Sequence, residues 1–160
     1  MNARKNAYAA GFLALLVAGA VHAQAPQYGN NVTLDQARKA IAGAEAEARR
    51  NNWPMAIAVV DTAGQLVAFA RIDNTQTAST QIAQDKAVTS AMYRRATKVI
   101  EEALAKGAEG WRYLTFPRMV AAEGGLPVVV DGKIIGGIGV SGGSGAQDGQ
   151  VAKAGLDAMK

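Results

Sequence analysis

The segment that most constrains this chain is Glu123–Asp148, EGGLPVVVDGKIIGGIGVSGGSGAQD. Two apolar runs, Pro127–Val130 and Lys133–Val140, flank Asp131-Gly132. An Asp-Gly pair between apolar runs predicts a β-hairpin, because both central residues of a type I′ turn need φ > 0. Glycines crowd both ends, Gly124-Gly125 before the hairpin and Gly142-Gly143 with Gly145 after it. Gly137 and Gly139 also strip the side chains from one face of the second strand. A strand loses stability at such glycines, so they mark the close approach of a backbone or a ligand. Tight packing of a helix on the sheet and the approach of a ligand both satisfy this pattern.

The beginning of the chain bears on compartment. Met1–Ala23 has a basic start at Arg4 and Lys5, an apolar middle over Ala9–Val21, and a small-x-small site at Val21-His22-Ala23. These are the three parts of a secretory signal. The expected product is periplasmic or secreted, cleaved at about Ala23, with no stable membrane anchor, since the apolar run is short for a bilayer span. The expected layout is signal over 1–23, a flexible lead-in over 24–32, and one domain over 33–160.

Cleavage also removes chemistry. The single histidine, His22, leaves with the signal, and the chain has no cysteine. Cys/His zinc sites, His-paired nucleophiles and histidine-ligated haem are thereby excluded from the mature protein. Loss of Arg4 and Lys5 takes 17 basic residues to 15 against 13 acidic ones, a net of +2. The remaining basic residues are scattered, and no nucleic-acid stripe is expected.

Thr33-Leu-Asp-Gln36 reads as a capping box. Behind it Leu34, Ala37, Ile41, Ala44 and Ala48 recur at helical spacing, which predicts an alanine-faced helix to about Arg50. Asn51-Asn52-Trp53-Pro54 ends it. Met55–Asp61 and Gln65–Ile72 predict a second hairpin turned at Gly64, apolar enough to be buried on both faces or in an assembly. Next comes a helix expected over Ser79–Ile100, with Ile82, Lys86, Thr89, Tyr93, Ala96 and Ile100 on one side. A lysine, a threonine and a tyrosine thus sit in an apolar stripe. They serve either as a snorkelling lysine and a packed ring, or as a pocket wall in which Lys86 meets an anionic ligand group. Trp111-Arg-Tyr113-Leu-Thr-Phe116 holds three of the seven aromatic residues beyond Ala23, either covering a ligand or capping the sheet. A last helix is expected over Gln147–Lys160.

Gly137-Ile-Gly139-Val-Ser-Gly142 matches the G-x-G-x-x-G dinucleotide fingerprint. Its context refutes that reading, because the motif falls inside a hairpin strand instead of joining a strand to a helix. The following Ser141-Gly-Gly-Ser-Gly-Ala-Gln147 leads successive amides into a helix N-terminus. That arrangement suits a carboxylate, such as a porphyrin propionate or a small organic acid.

Several stretches together resemble the GlcG/HbpS-like family of small haem-binding proteins, also described as a haem-degrading domain. They are Asn51-Asn52-Trp53 with Ile57–Asp61, Ala70-Arg71-Ile72-Asp73, Asp85-Lys86-Ala87-Val-Thr89, and above all Glu123–Gly136 continuing through Gly139-Val-Ser-Gly142 to Gly145-Ala-Gln-Asp148. The resemblance spans about Val32 to the end. It implies a single α+β domain of profilin-like type, an antiparallel sheet with packed helices, assembled as a homo-oligomer. It also implies haem or a related tetrapyrrole as a small-molecule ligand. Without histidine, iron would need oxygen from Tyr93, Tyr113 or Thr89, sulfur from Met92 or Met119, or nitrogen from Lys86.

The expected ligand site comprises Lys86, Thr89, Tyr93, Glu123, Gly124, Gly125, Ser141 and Gly142, with no metal site of the protein's own. A binding protein without catalysis is the preferred reading. The alternatives are an enzyme acting on a small organic acid, with Lys86 and Glu123 as its acid–base pair, and a structural oligomer without ligand.

Overall fold

The computed structural model describes residues 25–160, so the expected signal segment 1–23 lies outside it. Among the described residues four α-helices and four strands follow the hairpin-and-helix order read from the sequence. Helix α1 (Leu34–Arg50) opens on the expected capping box, with Thr33 and Gln36 satisfying each other's backbone amides. Strands β1 (Ala56–Asp61) and β2 (Leu66–Arg71) form the first hairpin. Helix α2 spans Ser79–Met92 and α3 spans Thr97–Ala105. Strands β3 (Gly125–Val130) and β4 (Lys133–Ser141) form the second hairpin, and α4 (Gly145–Asp157) closes the chain. At its turn Asp131 has φ 50° and Gly132 φ 71°, both positive as a type I′ turn demands.

The strands make one antiparallel sheet in the order β2-β1-β4-β3. Helices α1 and α4 cover one face, where Ala37, Ala40, Ala44 and Ala48 pack with Ile57, Val59, Ile138 and Val140. Small residues bring these two helices close together. A Cβ at Gly155 would press on the Ala40 carbonyl at 2.7 Å, and one at Gly43 on the Ala154 carbonyl at 2.9 Å.

Helix α2 lies on the other face through Ala83, Ala87 and Ala91. Here the glycines of β4 find their use. A Cβ at Gly139 would run into the Ala83 carbonyl and the Ala87 amide, and one at Gly137 into the Ala87 carbonyl. The close approach expected at these positions is therefore made by helix backbone. Central strand β1 is buried on both faces as anticipated. Strand β2 is not: it forms a sheet edge with Leu66 and Phe69 exposed.

Two local expectations need correcting. The helix expected over Ser79–Ile100 is broken in two. Arg94 turns left-handed at φ 54°, which costs on the order of 1–3 kcal/mol and requires tertiary support, and Ala96 beyond it is extended. Part of that support is Thr97, whose hydroxyl accepts a hydrogen bond from the Gly125 amide at 2.9 Å. The lead-in, expected to be loosely held, is tied along the start of β4. Gly29 donates to the Ile134 carbonyl and Val32 to that of Ile135, at 2.8 and 2.7 Å. The Tyr28 hydroxyl also reaches the carbonyls at the end of α2.

Candidate functional site

The expected site residues fall into two groups, a closed joint and an open face. The joint is centred on Lys86. Its side chain is 3% exposed, and its ammonium donates to Asp148 Oδ2 and to the Glu123 carbonyl, each at 2.7 Å. The glycine pair is packed against it: a Cβ at Gly124 would lie 2.9 Å from Lys86 Nζ, and one at Gly125 would strike the Lys86 carbonyl. Gly142 and Gly143 direct their amides at the Asp148 carboxylate, the latter at 2.9 Å to Oδ1. Ser141 is buried and shares a hydrogen bond with Ser79 at 3.0 Å. The amide concavity predicted after β4 thus exists, but it holds the chain's own carboxylate.

This arrangement changes the expected roles. The anion facing Lys86 is Asp148, and the Glu123 carboxylate turns outward to Lys98 at 3.1 Å. The acid–base pair expected between the Lys86 and Glu123 side chains is therefore not formed; only the Glu123 main chain meets the lysine. Burial pushes the Asp148 carboxyl above its ordinary range, and the Lys86 hydrogen bond and charge oppose that shift. Among the described residues no cluster of three His, Cys, Asp or Glu side chains could hold a metal ion.

Sequence reasoning missed Asp148 as the partner, although the signal was present. Asp148, Val151, Ala152 and Gly155 form a buried stripe at helical spacing. An aspartate in an apolar stripe asks for a counter-charge, just as Lys86 does in its own.

The open face lies beyond Thr89 and Tyr93. The Thr89 hydroxyl accepts from the Val120 amide at 2.9 Å and has the Asp85 and Arg118 carbonyls within 2.7 and 2.9 Å. Tyr93 donates to the Pro117 carbonyl at 2.9 Å. Helix α2 thereby fixes the segment that carries a 3-10 turn, Trp111–Thr115. Phe116 stacks on Tyr93 with ring centres 6.0 Å apart, and Tyr113 meets Phe116 edge-on at 5.8 Å. Trp111 is 60% exposed and Leu114 70%.

Two arginines attend this face. Arg95 donates from Nη1 to the Tyr113 oxygen at 3.4 Å, and the Arg112 guanidinium sits 5.2 Å from the Tyr113 ring centre. Hydrogen bonding from Arg112, with the nearby Arg95 charge, lowers the Tyr113 pKa below the usual phenol value against a smaller opposing effect of burial. Neither arginine was singled out from the sequence as part of a site. A concave region of about 750 Å³ lies elsewhere, between the lead-in and the β3–β4 turn, lined by Tyr28, Asn31, Gln36 and Lys133 among others.

The family model described as "Haem degrading protein HbpS-like" matches residues 32–157. The chain belongs to the HbpS-like family. Protein GlcG of Escherichia coli is 48% identical to this HbpS-like chain over 101 residues, 63% of this chain and 74% of GlcG. A double mutant of Streptomyces reticuli HbpS superposes with a TM-score of 0.74 at 28% identity, covering 98% of this chain and 97% of that one. The PduOC:heme complex superposes with a TM-score of 0.73 at 26% identity, covering 80% and 94%. The α+β fold and the family read from the sequence both stand.

Proposed function

We propose that this HbpS-like protein is an exported binder of haem or a related tetrapyrrole, acting without catalysis in a homo-oligomer. The ligand lies on the open face, and Lys86, Gly124, Gly125, Ser141 and Gly142 form the frame behind it. The observation that carries this reading is the presentation of Trp111, Leu114 and Phe116 to solvent, with Arg95 and Arg112 beside them. Aromatic surface and guanidinium forks together suit a flat apolar body with anionic side groups. The family's description and the haem complex among its structural neighbours support the same ligand class.

The donor set fits the group. Among the described residues there is neither histidine nor cysteine, yet tyrosine oxygen is an established haem ligand and methionine sulfur another. Bound haem would supply the redox and ligand-exchange chemistry of its iron. The chain's part is to pair a propionate with Arg112 and to shield one ring face with the aromatic turn. Assembly is supported by both sheet edges, where Leu66 and Phe69 on β2 and Val129 and Val130 on β3 are left uncovered. Among the described residues no helix is long and apolar enough to cross a membrane.

Haemin titrated into the purified protein should give a saturable Soret shift, while light scattering of the same sample reads the mass of several chains. Trp111→Ala with Leu114→Ala should weaken binding roughly tenfold or more without loss of helical circular dichroism. Absence of a Soret shift, or an affinity indifferent to the double substitution, would overturn the assignment.

A further inference from the structure

Three tyrosines occur among the described residues, and their hydroxyls are used in opposite ways. Tyr28 directs its O–H at the Ala91 and Met92 carbonyls, at 3.0 and 2.9 Å. Tyr93 gives its proton to the Pro117 carbonyl. In both, the proton holds the oxygen against another oxygen, and a phenolate there would face a carbonyl lone pair. Tyr113 is the exception. Its oxygen accepts from the Arg95 guanidinium, a donor that keeps its proton at any ordinary pH. The Arg95 fork is itself anchored, with Nε donating to the Tyr93 carbonyl at 3.0 Å.

The other donors considered for iron are engaged elsewhere. Lys86 is enclosed with Asp148, and the Thr89 hydroxyl is surrounded by Asp85, Arg118 and Val120. The Met92 sulfur lies over the β1–β2 turn, where a Cβ on Gly64 would come within 3.1 Å of it. Met119 is half-buried and soft, whereas a ferric iron favours a hard, anionic oxygen.

We infer that Tyr113, with Arg95 on its oxygen, is the residue that would hold the iron of a ferric tetrapyrrole bound on the open face. This rests on the haem-binding reading above and adds the atom that would hold the metal. Holding ferric iron through its phenolate would release the Tyr113 proton to solvent, with no change of oxidation state. Arg95 acts as a positioning residue: it orients the oxygen and balances its charge.

The test compares ferric haemin with iron-free protoporphyrin IX. Resonance Raman spectra of the haemin complex should carry tyrosinate modes that vanish in Tyr113→Phe and persist in Tyr93→Phe. Tyr113→Phe should also weaken haemin binding roughly tenfold while leaving protoporphyrin affinity, read by fluorescence, within about twofold. Arg95→Gln should shift the phenolate-to-iron absorption band, an effect that a merely structural arginine would not produce. Persistence of the tyrosinate modes in Tyr113→Phe, or an equal loss of haemin and protoporphyrin affinity, would overturn the ligand assignment and leave haem binding intact. Failure of the wild-type protein to take up haemin would overturn both.

Discussion

Replacing Lys86 by methionine offers the sharpest test of the closed joint. Methionine keeps the apolar stem of the lysine, is one atom shorter, and removes its charge and donors. The Asp148 carboxylate would then stay buried, with the Gly142 and Gly143 amides but no counter-ion. Removing one partner of a buried pair costs about 3–5 kcal/mol, a large share of the roughly 5–15 kcal/mol that holds a domain folded. Part of that loss is the hydrogen bond to the Glu123 carbonyl, about 1–3 kcal/mol for a buried acceptor left unsatisfied. The remainder is the uncompensated carboxylate.

That division predicts a pH dependence of definite sign. Burial already raises the Asp148 pKa in the native chain, and loss of Lys86 removes the largest effect opposing the rise. A carboxyl whose folded pKa is raised contributes stability below its unfolded value and loses it as pH climbs through the folded value. The Lys86→Met penalty should therefore be largest near pH 8 and shrink toward pH 4, with a slope no steeper than about 1.4 kcal/mol per pH unit for one proton. In Lys86→Met/Asp148→Leu the slope should vanish and most of the stability return, apart from a residue of about 1–2 kcal/mol for the orphaned Glu123 carbonyl and Gly143 amide. Urea unfolding followed by circular dichroism between pH 4 and 8 measures all three chains. A Lys86→Met penalty that is flat with pH, or smaller than about 1 kcal/mol, would refute the buried-pair argument.

Gly139→Ala should lower the melting temperature by about 3 °C or more, since its methyl group meets the Ala83 carbonyl and Ala87 amide of α2 and overpacking of this kind costs roughly 1–3 kcal/mol; a melt indistinguishable from wild type would mean that α2 does not sit so close. N-terminal sequencing of the protein recovered from the periplasm or medium of an expressing bacterium should begin at Gln24, and recovery of an uncleaved, membrane-associated chain would refute export by Met1–Ala23.

The fold was legible where local chemistry and global packing demand the same thing. Asp131-Gly132 needed only its own backbone preference to announce the β3–β4 turn, and Thr33 with Gln36 announced the start of α1. The break between α2 and α3 was not legible, because no glycine or proline marks it. Arg94 is left-handed owing to contacts distant in sequence, Thr97 with Gly125 among them. The site divided along the same line. Lys86 stood out as a charge in an apolar stripe, but its partner lies on another helix, 62 positions away. Sequence identified the charge and left open what answers it, and a ligand filled that role until the structure supplied Asp148.

The distinction matters for how an HbpS-like domain can vary its ligand. The Lys86–Asp148 pair, the Gly124-Gly125 turn and the amides after β4 fasten α2, β3 and α4 into one unit, and none of these contacts needs a guest. The segment Trp111–Arg118 is attached to that unit partly through Thr89 and Tyr93, which grip main-chain atoms of Pro117, Arg118 and Val120, and partly through side chains, Phe116 on Tyr93 and Tyr113 with Arg95. Main-chain grips are indifferent to side-chain identity. If the open face is the ligand site proposed above, substitutions at Trp111, Arg112, Tyr113 or Leu114 would change what it binds while the frame beneath it keeps its shape. Function placed on a segment held by its backbone is free to diverge faster than the fold.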